Sequence, residues 1–85
     1  MLRGEILDTA KDLTHGDRNK NYGSPMTNHQ RIAKLWSVWL ETEITPAQAA
    51  MCLALVKVAR LIETPQHEDS PIDLAAYAAI YGEIA

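Results

Sequence analysis

The sequence predicts an all-α domain, a compact bundle of about four helices, and three observations carry that prediction. Apolar residues recur at helical spacing through long stretches rich in Ala, Leu and Ile. Two pairs, Thr45-Pro46 and Ser70-Pro71, place a capping hydroxyl before a proline, the pattern of a helix start. No segment carries the two-residue alternation of a half-buried strand, and there is no repeat or low-complexity tract.

Taken in order, the first helix is expected from Glu5 to about Thr14. Ile6, Ala10 and Leu13 form its apolar stripe, Asp8, Lys11 and Asp12 lie mostly outside it, and His15-Gly16 is the stop. A polar loop spanning 15–26 follows, with the charged run Asp17 to Lys20 and the breaker signals Tyr22-Gly23 and Ser24-Pro25. The second helix is expected from about Thr27 to Glu41, burying Ile32, Leu35, Trp36, Trp39 and Leu40. The third starts with Thr45 as N-cap, Pro46 at N1 and Gln48 at N3, a capping box, and runs through Ile62. It is apolar nearly all round, so it is expected at the centre of the bundle. The fourth is expected to open on Ser70, Pro71 and Asp73 and to reach Gly82 or beyond.

Eighty-five residues make a single domain, 1–85, and a small one. A chain this short buries roughly 60–65% of its unfolded surface, so a dimer or tetramer is the expectation for a four-helix unit with many alanines and no Phe. The two Trp residues are expected to supply core or subunit interface. A net charge of −3 without a basic tract argues against nucleic acid, although Gln30, Arg31 and Lys34 could form a local basic helix face. The single cysteine, Cys52, excludes a disulfide framework and a Cys-rich zinc site; its apolar surroundings predict a buried free thiol. The start of the chain has no signal-peptide pattern and Ala47 to Val56 is too short to span a bilayer, so no membrane partner and a cytoplasmic location are expected.

The polar residues locate the chemistry. Lys57 and Arg60 are the charges that interrupt the third helix, three apart and on one face. They read either as a phosphate clamp, the guanidinium a fork and the ammonium a point charge, or as a pair with Asp69 or Asp73 that fixes helix register. Asp73, at N3 of the fourth helix, is also explained by capping and the helix dipole, whereas Asp69 is not needed by the cap. Together the two could hold Mg²⁺, an ion that takes one or two carboxylates along with substrate phosphates. Tyr77 lies one turn beyond Asp73 and either fills the core or bonds a ligand. His29 sits near the polar loop in sequence and is a candidate for the same site, with Arg18 and Tyr22 of the loop; His15 and His67 are expected to face solvent. No Ser/His/Asp set, Gly-rich phosphate loop or HExxH is present.

These residues also carry a resemblance. Asp17-Arg18, Tyr22-Gly23-Ser24-Pro25, Asn28-His29, Arg31-Ile32-Ala33 and Leu35-Trp36-Ser37, with the later Lys57, Arg60, Asp69-Ser70, Asp73 and Tyr77, resemble a family of short phage and prophage proteins of unknown function. The match covers nearly the whole chain and implies a protein of a bacterial host cytoplasm. More distantly, Tyr-Gly followed by Lys-x-x-Arg, Asp-x-x-x-Asp and Tyr is similar to nucleotide-modification-associated domains and to MazG-like all-α nucleoside triphosphate pyrophosphohydrolases. That likeness implies a MazG-like core, a nucleotide held through Lys57, Arg60, Arg18, Tyr22, His29 and Tyr77, and Mg²⁺ at Asp69 and Asp73. The chain departs from those enzymes where they bind metal. Its third helix has no ExxE, and its Glu5-x-x-Asp8 lies on the first helix. Binding therefore survives the comparison better than hydrolysis. The alternative is a non-enzymatic helical interaction or assembly module in which the charged residues form a structural salt-bridge network.

Overall fold

A computed structural model describes residues 1–16 and 23–85. It contains four helices: α1 (Arg3–Leu13), α2 (Pro25–Leu40), α3 (Pro46–Glu63) and α4 (Asp69–Ile84), with no strand among the described residues. The whole measures 40 × 31 × 21 Å.

Local chemistry sets the ends. Gly16, at φ +68°, provides the left-handed turn just past α1. α2 starts two residues before its expected position, because Ser24-Pro25 is a third cap-and-proline pair: Ser24 Oγ accepts from the Thr27 N–H at 3.2 Å. Glu41 closes α2 in the left-handed region at φ +53°, and the Thr42 N–H returns to the Ser37 carbonyl. The capping box on α3 is formed as expected, with Gln48 N–H to Thr45 Oγ1 at 3.1 Å and Thr45 N–H to Gln48 Oε1 at 2.9 Å.

The start of α4 differs from expectation. Its N-cap position is Glu68, which makes no side-chain cap, and Ser70 lies inside the first turn, fully buried. The capping role passes to His67, which is therefore not a free solvent-facing ring. Its Nδ1 accepts the Ser70 N–H at 3.2 Å and lies 2.8 Å from Ser70 Oγ.

The packing is built on small side chains. Ala49, Ala50 and Ala54 are the buried residues of α3, and Ser70, Ile72, Ala76 and Ile80 are those of α4. α1 adds Ala10, with Ile6 and Leu13 packed around Ile72 and Ala76. α4, rather than α3, is the element that α1, α2 and α3 share. The reason is that much of the apolar surface of α3 points outward: Leu55, Val56 and Ile62 are exposed, and so is Cys52, against the expectation of a buried thiol.

α2 shows the same effect. Its inward face is His29 and Ala33, with Ser37 bonding the Ala33 carbonyl and accepting the Ile44 N–H. Leu35 is 70% exposed and Trp39 85%, and Leu40 is also outside; of the expected buried set only Ile32 and Trp36 are partly covered. Two stripes compete on this helix. The stripe with small residues allows close approach to α3 and α4 and is the one that packs.

Candidate functional site

Side chains from three helices meet on one side of α4. Lys57, on α3, has a side chain only 15% exposed, and its Nζ lies 3.1 Å from Oδ2 of Asp73 on α4. Among the described residues this is the one ion pair. One turn along α4, Tyr77 presents its ring to His29 of α2, the centroids 6.3 Å apart and the planes 72° from parallel. A small cavity of about 80 Å³ lies between Leu13, Asp73, Ala76 and Tyr77. It has room for a few waters or one end of a ligand and not for a whole nucleotide.

His29 is the least conventional member. It is 3% exposed, deeper in the fold than the intermediate burial usual for this residue type. Its Nδ1 lies 2.8 Å from the Pro25 carbonyl, and a carbonyl only accepts, so Nδ1 carries the hydrogen. In the neutral ring Nε2 is then a bare acceptor, buried and without a hydrogen-bond partner among the described residues. Leaving such an atom unsatisfied costs about 1–3 kcal/mol. Sequence reasoning named His29 from its nearness to the polar loop. Its burial follows from the four-residue step to Ala33, a clue that the larger Leu35–Trp39 stripe obscures.

The remaining candidates are more scattered. Arg60 is exposed, one turn beyond Lys57. Asp69 is exposed in the first turn of α4, one turn before Asp73, whose carboxylate already faces Lys57. No group of three or more His, Cys, Asp or Glu side chains suited to a metal occurs among the described residues. Arg18 and Tyr22 lie outside the described residues. A larger groove of about 430 Å³ lies elsewhere, between α2 and the start of α3, lined by Ala33, Ser37, Val38, Ile44 and Pro46 with Lys34 at its edge. It contains none of the candidate ligand residues, although Gln30 and Lys34 of the local basic face named from the sequence line it.

A family model described as a domain of unknown function, DUF6378, matches residues 5–85. The chain belongs to the DUF6378 family. The DUF6378 chain is 40% identical over 76 residues to the Gene 55 protein of Mycobacterium phage L5, covering 88% of this chain and 49% of that protein. It is 48% identical over 73 residues to the Gene 55 protein of Mycobacterium phage D29, covering 86% and 48%. The DUF6378 chain thus spans about half the length of the curated relatives it matches. No solved structure matches it. The phage-type family of unknown function expected from the sequence is the family found, and the four-helix all-α fold agrees with that expectation. No helix among the described residues is long and apolar enough to cross a membrane.

Proposed function

We propose that this DUF6378 domain is a small-ligand-binding helical module and that its ligand is of the nucleotide class. The observation that carries the reading is the Nε2 of buried His29, without a partner among the described residues, next to Tyr77 and on the same flank of α4 as the Lys57–Asp73 pair. A bare acceptor calls for a donor, such as a sugar hydroxyl or the N–H edge of a base. Lys57 and Arg60 supply cationic groups for phosphate, and Lys57 can exchange Asp73 for a phosphate oxygen with its charge still compensated. Mg²⁺ would enter with the ligand, Asp69 and Asp73 completing a coordination shell made mostly of phosphate oxygens and water. The carboxylate set of the MazG-like hydrolases is incomplete in this sequence, so binding, and not pyrophosphate release, is the activity proposed.

Titration calorimetry with nucleosides, nucleoside monophosphates and nucleoside triphosphates tests this directly. A triphosphate should bind more tightly than its nucleoside. Lys57→Ala and Arg60→Ala should each weaken the triphosphate by about tenfold or more, a loss of about 1.4 kcal/mol or more. Equal heats for the nucleoside and the triphosphate, or unchanged affinity in both variants, would contradict the site.

A second reading, a non-enzymatic interaction module, is favoured by a separate observation: the large apolar residues of α2 and α3 that face outward. The two readings concern different sides of the molecule and are compatible.

A further inference from the structure

Four outward residues of α3, Cys52, Leu55, Ala59 and Ile62, follow one another at steps of three, four and three. That is the a/d spacing of a coiled-coil seam, and the residues alternate small, large, small, large. Leu55 is 57% exposed and Ile62 80%, while Cys52 and Ala59 are exposed between them. Lys57 lies on the opposite side of the helix, paired with Asp73, so the seam itself bears no charge. We propose that a second copy of this chain covers this face, its α3 running antiparallel to the first across a twofold axis.

The order of residue sizes argues for that occupant and that orientation. In an antiparallel pair centred beside residue 57, Leu55 of one copy meets Ala59 of the other, and Ile62 meets Cys52. Every large side chain then faces a small one, which fills the interface evenly and brings the helices close. A parallel pair in register would set Leu55 on Leu55 and leave a gap between the two Ala59 side chains. No like charges oppose one another in the antiparallel arrangement.

Neighbouring α2 is apolar on its outer side as well. Leu35, Val38 and Trp39 of α2, the helix packed beside α3, are 70%, 80% and 85% exposed. The exposed Leu55 and Ile62 make the outer face of α3 an apolar surface for the second copy to cover.

The single native thiol supports a direct test. The full chain and its Ile62→Cys variant are oxidised mildly and run without reductant, and the mass of the unmodified chain is measured by light scattering. The proposal requires a dimer for the unmodified chain with little disulfide cross-linking, since its two Cys52 thiols lie far apart. Ile62→Cys should give a covalent dimer in high yield. Cleavage at Lys57 and Arg60 should then map the bond between Cys52 of one copy and the introduced thiol of the other. Leu55→Glu should give a monomer with unchanged helix content by circular dichroism. A monomer for the unmodified chain, or a dimer that survives Leu55→Glu, would overturn the proposed face. Efficient Cys52–Cys52 cross-linking in the unmodified chain would overturn the antiparallel arrangement.

Discussion

The inward side of α4 and the outward side of α3 differ in what their residue sizes accomplish. Around α4, alanines and one serine bring helices close enough to bury His29 and most of Lys57. On the outer side of α3 and α2, Leu, Ile, Val and Trp remain in water. The largest hydrophobic residues are therefore not the core of this domain. Close packing here is achieved by small side chains, with polar groups enclosed where three helices converge, and the bulky residues stay on the outer surface. Burial of a Leu or Trp side chain contributes about 1.5–3 kcal/mol, so a chain that exposes several gives up much of its available stability as a monomer.

Substitutions on the two sides should separate sharply. The largest loss is expected from overfilling the α3–α4 contact. Ala50 is fully buried, and Ala50→Leu should destabilise the fold by about 1–3 kcal/mol or more, seen as a fall in the urea midpoint. Next comes Lys57→Ala, which strands the partly buried Asp73 carboxylate. A pair intermediate between surface and core should cost about 1–3 kcal/mol, whereas replacing both partners, Lys57→Met with Asp73→Leu, should restore most of it. If the double variant is as unstable as Lys57→Ala alone, the pair does more than join α3 to α4.

Ser70→Ala should cost about 1 kcal/mol, because it removes a buried hydroxyl bonded to His67 while leaving the His67–backbone bond in place. The smallest effect belongs to the outward side. Leu35→Ala should change monomer stability by no more than about 0.5 kcal/mol under dilute conditions, in contrast to any alanine enlarged on the inner side. A loss of several kcal/mol at Leu35 in dilute solution would erase the distinction between the two regions.

Much of the fold was legible because its signals are local. Thr45-Pro46-x-Gln48 specifies a helix start within four residues, and the same logic read at Ser24-Pro25 places the start of α2. Ser70-Pro71 misled for a physical reason: a histidine three residues before the serine can cap the turn, which moves the serine inside the helix. The burial pattern was less legible. Hydrophobic periodicity gives weight to large residues, and in α2 it selects Leu35 and Trp39 over Ala33 and His29. Which stripe faces inward depends on how closely α3 and α4 approach, a tertiary property absent from any one helix. The same uncertainty put Cys52 inside and α3 at the centre. At the site, the opposite charges of Lys57 and Asp73 allowed their pairing to be named as one alternative. That Nε2 of His29 has no partner among the described residues follows from the ring's other bond, to Pro25, which no sequence pattern reveals.

The most direct test of the ligand site is the melting temperature of the chain across a panel of nucleotides, with Mg²⁺ and with EDTA, in parallel with Lys57→Ala. A ligand at about 100 times its dissociation constant adds roughly 2.7 kcal/mol, which raises the melting temperature of a domain this size by several degrees. The account predicts such a rise for one class of nucleotide in the unmodified chain and its loss in Lys57→Ala. A melting temperature indifferent to every nucleotide, or an equal rise in both chains, would contradict it.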